Sequence, residues 1–435
     1  MSLRSLKSPS NNPNRPILVV SNSSWYLLHY RKLLLKELKK NYKYILAMSP
    51  IDSSTNKLSQ ILLHIPWRIY RSSGLSPLSL MSSLIRMTFI VRALKPLLIH
   101  SHTLKANLIT SIVSSFYGIP TIYSFAGMGR LSSESNLKKV FFKIIIKLIF
   151  FFSSLQRVSK YKLRKEEFRC KYIFQNPRDM KLVKSIIKPN KKVSSNLFLI
   201  PGSGLPDDYL RKNIEVKNNW LDIYPLKNNL FKDNKIDFIY CGRLIKSKGI
   251  FDYIKMASGD RINNYFVYGE LDKLSKKNIE SLNLFHLKLK YQNLIFKGNV
   301  KNPLLNHLKS FPILLLLSNY GEGLPRTILE AMSLSIPVIS TKIAACDIFD
   351  SRYIYLLDSN SQEEITSVVG QIKKDFHNGD LKIKLDKAKD LTKENFNEFK
   401  IVKETLKIYS KQLDLQNTNY LNLKYLDDLN EWIAK

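Results

Sequence analysis

The strongest constraint on the fold is an alternation of apolar, strand-like runs with helical stretches, which occurs twice along the chain. The predicted strands are PILVVSN, YKYILAMSP, PLLIHSH, IPTIYSFAG, KYIFQNP and NLFLIPGSG in the first half, and IDFIYCG, NYFVYGE, NLIFKGN, FPILLLLSN, IPVIST and YIYLLD in the second. Continuous apolar runs separated by helices are typical of buried parallel strands. The sequence therefore predicts an α/β protein with two doubly wound, Rossmann-like domains that face each other across a cleft.

A polar stretch between the two alternations divides the chain. It predicts a linker with surface loops over residues 206–235, an N-terminal domain over 16–205 and a C-terminal domain over 236–410. Residues 1–15 lack the apolar segment of a secretory signal and are expected to form a disordered arm. Residues 411–435 predict a helical tail. Because ligands of doubly wound sheets bind beyond the carboxyl ends of the strands, we expect the functional residues there.

The segment GEGLPRTILEAM, residues 321–332, places Glu322 and Glu330 eight positions apart at the start of a predicted helix. The glycines beside Glu322 allow a tight turn and a close approach to a ligand, and Pro325 suits the first helical position. The N-terminus of such a helix favours an anion, whereas a glutamate favours a neutral polyol or a developing cation. A plain strand-to-helix connection is the alternative on this segment alone.

A second segment, CGRLIKSKGIFDYI, also follows a predicted strand and opens a helix. Arg243 and Lys248 flank its loop, between Gly242 and Gly249. A guanidinium can bind a phosphate through two hydrogen bonds, and an ammonium adds a compact charge. The pair therefore predicts a diphosphate clamp, with two solvated surface cations as the alternative.

The charge of the chain indicates its partners. Lys and Arg number 69 against 35 Asp and Glu, giving a net charge of +34. This favours anionic partners such as phosphates or an acidic membrane face, with compositional drift toward lysine as the alternative. No DNA- or RNA-binding signature accompanies the basic residues, so nucleic acid is not predicted as a partner. Cys170, Cys241 and Cys346 lie far apart, and they predict neither a disulfide framework nor a metal site.

The most apolar segment, LKKVFFKIIIKLIFFF at residues 137–152, predicts a helix of about 24 Å, too short to cross a bilayer. Lys139, Lys143 and Lys147 recur at every fourth position and share one face. This pattern fits a helix that lies in the membrane interface with its basic face toward the head groups. A helix packed against its own domain explains the segment equally well. No transmembrane span is predicted.

Together the two glycine-containing loops are more specific than either alone. GRLIKSKGIFDYIKMA, followed about 75 residues later by EGLPRTILEAMSLSIPVIST, resembles the GR…KG loop and the E-x7-E motif of glycosyltransferase family 4, which has the GT-B fold. SNSSWYLLHYR, HSHTLKAN, GIPTIYSFAGMGR, FQNPRD and LIPGSGLP look like the membrane-associated branch that builds bacterial O-antigen, capsule and undecaprenyl-linked oligosaccharides. The resemblance covers residues 16–410.

This resemblance implies residues that act on a nucleotide sugar. Arg243 and Lys248 would bind the nucleotide diphosphate, Glu322 would contact the donor sugar, and Glu330 would take the ribose hydroxyls. The other positions implied to bind the donor are Gly242, Gly269, Gly323, Leu324 and Pro325.

The resemblance also implies a reaction and a place in the cell. It implies a retaining transfer of a hexose or N-acetylhexosamine from a nucleotide-diphosphate sugar, with UDP as the expected nucleotide, to a polyprenyl-diphosphate-linked saccharide. Front-face attack, with the leaving phosphate taking the acceptor's proton, requires no protein nucleophile, and neither a metal nor another cofactor is expected. The enzyme would be cytoplasmic and peripheral on the inner face of the bacterial cytoplasmic membrane, against its anionic surface.

The first half supplies weaker candidates. His102 ends a predicted strand and is expected to orient the acceptor hydroxyl as a catalytic residue, with a structural histidine as the alternative. His100 is expected on the opposite side of the strand, in a structural role. Many relatives carry a Gly-Gly pair after the first strand, where this chain has SNSSW, so either residues 21–24 contact the phosphate or that contact is absent. Further candidates for ligand contact are Arg130, Asn176 and Arg326.

Two rival functions follow from the same residues. A sugar-nucleotide epimerase can use this fold, but it needs groups placed for proton abstraction, and the paired motifs argue against it. A protein that binds an anionic surface through its charge is the second rival. Release of free nucleotide diphosphate in step with glycosylation distinguishes the transferase from both.

Overall fold

The computed structural model describes residues 15–69, 77–128, 136–155, 170–206, 235–271, 287, 290–319, 321–345 and 347–413. Within these ranges the chain forms two parallel sheets, one in each half, which confirms the predicted α/β class. The predicted arm, except its last residue, most of the linker and most of the tail lie outside the described residues. The candidates Arg130 and Cys346 lie outside them too.

The N-terminal sheet has the strand order β3-β2-β1-β4-β5-β6-β7. Its strands are β1 Ile17–Val20, β2 Ile45–Ser49, β3 Leu63–Pro66, β4 Leu98–His102, β5 Thr121–Phe125, β6 Cys170–Phe174 and β7 Leu197–Leu199. All but β3 were predicted. β3 is a four-residue edge strand, LHIP, too short to give a clear pattern. The order reverses between β1 and β4, which is where ligands of such sheets bind.

Helices cover both faces of this sheet because β1 is apolar on both sides. Ile17 and Val19 contact the helix that follows β1, whereas Leu18 and Val20 contact the helices that precede and follow β4. The helices are α1 Ser24–Tyr30, α2 Lys32–Asn41, α3 Thr55–Ser59, α4 Pro77–Leu94, α5 Leu104–Tyr117, α6 Asn136–Ser154, α7 Pro177–Ile187 and α8 Lys191–Ser194. The stretch YLLHYRKLLLKELKK, residues 26–40, predicts a single helix where α1 and α2 stand. The structure breaks it at Arg31, whose φ of −130° is not helical.

The C-terminal sheet has the strand order β10-β9-β8-β11-β12-β13. Its strands are β8 Ile236–Cys241, β9 Asn264–Tyr268, β10 Leu294–Gly298, β11 Phe311–Leu316, β12 Val338–Thr341 and β13 Tyr355–Leu357. They are accompanied by α9 Ile250–Gly259, α10 Arg326–Ser333, α11 Gln362–Asn378, α12 Asp380–Asn395 and short 3-10 helices at Lys246–Lys248 and Pro303–His307. The switch point lies between β8 and β11, and the loops after these two strands carry the two predicted motifs.

The last described helix, α13 Glu398–Leu413, returns to the N-terminal domain. Ile401, Ile408 and Tyr409 join the core that contains Ile17 and α2. The sequence placed residues up to 410 in the C-terminal domain, so this part of the boundary is corrected. Sequence periodicity shows that α13 is amphipathic, but not which sheet its apolar face covers.

Candidate active site

Lys248 and Glu322, predicted from separate motifs, meet in the structure. Lys248 ends the 3-10 helix after β8, and its Nζ lies 2.5 Å from Glu322 Oε1. Ser318 Oγ donates to the same carboxylate oxygen at 2.6 Å. The two charged side chains are only 14% and 11% exposed. A partly buried ion pair at the switch point offers a cation to a phosphate and a carboxylate to a sugar on adjacent atoms.

Glycines let the backbone pass closely beside this pair. Gly269 has a φ of +138°, and a Cβ there would lie 1.9 Å from the carbonyl oxygen of Gly242. Gly249 has a φ of +74° and is covered by the main chain of Leu317. A side chain at Gly269 would separate the loops that follow β8 and β9, and one at Gly249 would separate the loops that follow β8 and β11. Arg243 lies in the first of these loops with a half-buried side chain, and its carbonyl oxygen accepts a hydrogen bond from Tyr240.

Glu330 lies one turn into α10 and pairs with Arg326. Arg326 Nε donates to Glu330 Oε1 at 3.1 Å. Burial raises the pKa of Glu330, and the nearby Arg326 charge opposes this rise. Pro325 stands at the N-cap and not at the first helical position, because its ψ of 111° is extended. The predicted helix therefore exists but begins one residue later.

The N-terminal domain holds the Glu322 loop through Asn176. Its side-chain amide donates to the carbonyl oxygens of Glu322, at 3.1 Å, and Gly323, at 2.6 Å. Its side-chain oxygen meanwhile caps α7 by accepting from Asp179 N. Gly127 lies so close to Gly323 that a Cβ at Gly127 would approach Gly323 N to 2.6 Å. Asn176, predicted as a possible ligand contact, thus bonds to the main chain of the loop on which Glu322 stands.

Asp179, which is hydrogen-bonded to Asn176, makes the stability of the protein depend on pH. Burial raises the pKa of Asp179 to about 6, although hydrogen bonds from Asn176 and Met128 oppose the rise. The folded protein therefore binds a proton that the unfolded chain releases near pH 4. We expect the free energy of unfolding to fall by up to about 3 kcal/mol as the pH rises from about 4 to about 6, and this contribution to stay constant above.

Chemical denaturation at several pH values tests this with Asp179→Asn as the comparison. The asparagine oxygen can still accept the hydrogen bonds from Met128 and Asn176 but does not titrate. The difference in unfolding free energy between wild type and variant should change across this pH range. A difference that is the same at pH 4 and pH 7 would contradict the account.

His102 lies at the end of β4 but in no described contact with the charged pairs. Its ring is fully buried and 4.0 Å from that of His100, and both of its nitrogens lack a hydrogen-bond partner. Burial lowers its pKa well below the ordinary value, with His100 and Arg31 adding to this effect. The expectation that His100 faces the other way is wrong, because residues two apart in a strand share a face. His100 does have structural partners, Tyr409 at 2.7 Å and Ser124 at 2.8 Å.

The side chains of two serines after β1 form hydrogen bonds within their own domain. Ser23 caps α1 by accepting from Tyr26 N. Ser24 Oγ bonds to Pro50 O at 2.6 Å and to Ser49 Oγ at 2.8 Å. Ser21 Oγ is buried without a partner. These are side-chain bonds, so both alternatives for residues 21–24, a phosphate contact or none, stay predictions.

Tyr30, at the end of α1, is a site residue that the sequence did not indicate. Burial raises the pKa of its phenol, while the charges of Arg326, Glu330, Lys248 and Glu322 also act on it. Arg326 Nη1 donates to the neighbouring carbonyl oxygen of His29 at 3.2 Å. Tyr30 thus brings a side chain of the N-terminal domain close to the charged groups of both motifs. Only the packing of α1 against the other domain reveals this.

Acidic and histidine ligands do not gather into a metal site in the described part of the chain, where no group of three His, Cys, Asp or Glu side chains could hold an ion. Asp272, the last residue of the loose DxD-like sequence Glu270-Leu-Asp272, lies outside the described residues.

Both domains match known protein families. Residues 16–155 match the family described as glycosyl transferase 4-like, and residues 226–389 match glycosyl transferases group 1. These ranges contain the SNSSW loop in the first domain and both predicted motifs in the second.

Curated relatives carry related names. The chain is 21% identical over 407 residues to N,N'-diacetylbacillosaminyl-diphospho-undecaprenol alpha-1,3-N-acetylgalactosaminyltransferase of Campylobacter jejuni, covering 90% of this chain and 97% of that protein. Two uncharacterized glycosyltransferases of Methanocaldococcus jannaschii are 35% identical over 120 residues and 32% identical over 189 residues. Those matches span 26% and 41% of this chain, and only 27% and 46% of the relatives' lengths.

Solved structures share the two-domain architecture. Anabaena Alr3699/HepE in complex with UDP has a TM-score of 0.65 and 14% identity, covering 91% of this chain and all of that one. A glycosyltransferase from Rickettsia africae has a TM-score of 0.64 and 15% identity, covering 93% of this chain and 99% of that one. At such identities the likeness shows the fold alone, and that fold is GT-B.

Proposed function

We propose that this chain, a family 4-like protein that combines a glycosyl transferase 4-like domain with a group 1 glycosyl transferase domain in the GT-B fold, is a retaining glycosyltransferase. It moves a hexose or N-acetylhexosamine from a nucleotide-diphosphate sugar to a lipid-linked saccharide in the synthesis of a surface polysaccharide such as O-antigen or capsule. The observation that carries this proposal is the Lys248–Glu322 pair at the switch point, beside the Arg326–Glu330 pair.

The geometry suits charge separation in the donor. When the anomeric C–O bond breaks, its electron pair leaves with the diphosphate, and positive charge develops on the sugar ring. Lys248, Arg243 and the N-terminus of α10 stabilise the first charge, and Glu322 stabilises the second. The acceptor oxygen bonds to the same face of the anomeric carbon and passes its proton to the leaving phosphate oxygen. Because Lys248 and Arg243 supply the cationic charge, the proposed mechanism uses no metal.

The expected donor is a UDP-sugar. HepE has been crystallised with UDP, and the name of the Campylobacter protein specifies transfer of N-acetylgalactosamine to a diphospho-undecaprenol saccharide. For this chain, Arg243 and Lys248 are the diphosphate ligands that we propose, and Glu330 is the ribose ligand. His102 has two free, buried nitrogens and is proposed to meet an acceptor hydroxyl once the cleft is occupied.

The proposed acceptor is a polyprenyl-diphosphate saccharide, which places the enzyme on the anionic inner face of the cytoplasmic membrane. α6 supports this location. One side of α6 is buried in the N-terminal core. Its other side exposes the basic residues Lys139, Lys143 and Lys147 together with the apolar residues Val140, Phe141, Ile144, Leu148 and Phe151. The buried side fits a helix packed against its own domain, and the exposed side is the one that we propose to contact the membrane.

α4 adds a second apolar stripe to the same side of the domain, because α5 packs between α4 and α6. Its exposed residues are Leu78, Met81, Ile85 and Phe89. Among the described residues α4 is the one helix with the length and hydropathy to cross a membrane, a property that core helices of soluble proteins share. Its opposite side, with Met87, Ile90 and Val91, packs on β1 and β4.

Acidic substitutions of exposed apolar residues in α6 test the membrane contact. The double change Phe141→Glu and Ile144→Glu should lower binding to phosphatidylglycerol-rich vesicles by at least about tenfold, because it removes buried apolar area and adds negative charge. Vesicle sedimentation measures the binding. Ile383→Glu, on an exposed position of α12 in the other domain, is the matched control and should bind like wild type. Equal binding by all three proteins would contradict the proposed surface.

The enzymatic proposal is tested by the stoichiometry of products. With a UDP-sugar and bacterial membrane lipids, a transferase releases free UDP in step with sugar that enters the lipid fraction. An epimerase instead changes the sugar nucleotide and leaves the lipid unlabelled. Altered sugar nucleotide without labelled lipid would favour the epimerase and overturn the transferase proposal.

A further inference from the structure

Two aromatic side chains on α1 form an exposed stack beside the charged pairs. The rings of Trp25 and His29 are 4.6 Å apart with an interplanar angle of 24°. Trp25 is 44% exposed, although burying a side chain of this size is strongly favourable. In the mechanism above this aromatic surface has no role.

Hydrogen bonds fix the main chain of Trp25 and the ring of His29. Asp52 Oδ2 accepts from Trp25 N at 2.9 Å, and His29 Nδ1 lies 2.9 Å from Trp25 O. The edge of Tyr30 packs against Trp25, with ring centroids 5.5 Å apart. The Trp25 ring thus packs between the fixed His29 ring and Tyr30, so a ligand has less of this surface to order when it binds.

The stack adjoins the Arg326–Glu330 pair of the candidate active site. The carbonyl oxygen of His29 accepts from Arg326, which pairs with Glu330. Tyr30 packs against Trp25, and the charges of Lys248 and Glu322 act on its phenol. The proposed diphosphate ligands belong to the C-terminal domain, whereas the stack belongs to the N-terminal domain.

We propose that the Trp25–His29 stack is the subsite for the sugar ring of the acceptor. A pyranose presents an apolar face of C–H groups that packs on an aromatic ring, while its hydroxyl groups stay in water or meet polar neighbours. In this position the ring lies beside the Arg326–Glu330 pair, whose arginine bonds to the carbonyl oxygen of His29. This inference rests on the proposed function and assigns its acceptor a place.

The test separates acceptor binding from donor binding. Trp25→Ala should raise the KM for the membrane-lipid acceptor by at least about fivefold, while the KM for the donor and the Kd for UDP stay within about twofold of wild type. Trp25→Phe keeps an aromatic face and should recover part of the loss. Phe399→Ala removes an aromatic side chain of similar exposure on α13 and should leave the acceptor KM unchanged.

The acceptor KM, the donor KM and the Kd for UDP together distinguish an acceptor role of the stack from a donor role. Normal UDP binding with an unchanged acceptor KM in Trp25→Ala would overturn the subsite but not the transferase. An equal rise in the donor KM or in the Kd for UDP would assign the stack to the donor instead. A folded wild-type protein that neither binds UDP nor transfers sugar would contradict the proposed function, and the subsite with it.

Discussion

Replacing Lys248 by alanine should reduce kcat about 100- to 1,000-fold, the usual cost of removing one preorganised electrostatic stabiliser of a transition state. The ammonium lies 2.5 Å from Glu322 and is mostly buried, so water screens it little. Its loss removes a positive charge that stabilises the leaving diphosphate. It also leaves the Glu322 carboxylate without its cation. Steady-state transfer of labelled sugar to lipid measures the effect.

Lys246 provides a matched control for this prediction. It stands two residues earlier in the same 3-10 helix, carries the same charge and is exposed. Lys246→Ala changes the net charge of the protein by the same amount and should retain nearly full activity. Equal losses in the two variants would show that overall charge matters and not the position of Lys248. Full activity in Lys248→Ala would remove the cation from the mechanism.

Gly269→Ala should destabilise the protein by about 3 kcal/mol or more, because it combines an unfavourable φ with overpacking. The new Cβ would lie 1.9 Å from the carbonyl oxygen of Gly242, and this neighbour is backbone that cannot rotate away. The loop after β8 would have to shift, and Arg243 and Lys248 with it. We therefore expect a lower melting temperature and weaker UDP binding together.

Gly379→Ala isolates the conformational part of that cost. Gly379 has a φ of +83° at the end of α11, and a Cβ there would meet nothing within 4 Å. This variant should lose only about 1–2 kcal/mol and should bind UDP normally. A loss of stability in Gly269→Ala no larger than in Gly379→Ala would show that the two loops are not tightly packed.

Much of the fold is predictable because buried parallel strands are long apolar runs. The runs ending at Val20, Cys241 and Leu316 all became strands, and the loops after β8 and β11 carry the motifs, as expected. β3 was missed because four residues at a sheet edge carry too little pattern. The sequence did not show that α13 packs on the N-terminal domain, because an amphipathic pattern gives the apolar face of a helix but not the partner that covers it.

The site divides in the same way. Motif spacing predicted Lys248, Glu322 and Glu330 as site residues, since each lies in the loop or helix that follows a buried strand. It did not show that Lys248 and Glu322 form an ion pair, because their loops follow non-consecutive strands. The sequence also did not show the position of Tyr30 or the hydrogen bonds of Asn176, because both depend on contacts between the two domains.

The most direct test of the central claim is label transfer from a panel of donors. Folded wild-type protein and Glu322→Ala would each be given radiolabelled UDP-, GDP- and dTDP-sugars with bacterial membrane lipids. The account predicts that label from one donor, a UDP-sugar, enters the lipid fraction with wild type and is lost with the variant. The absence of label transfer, of nucleotide release and of nucleotide binding with every donor would contradict it.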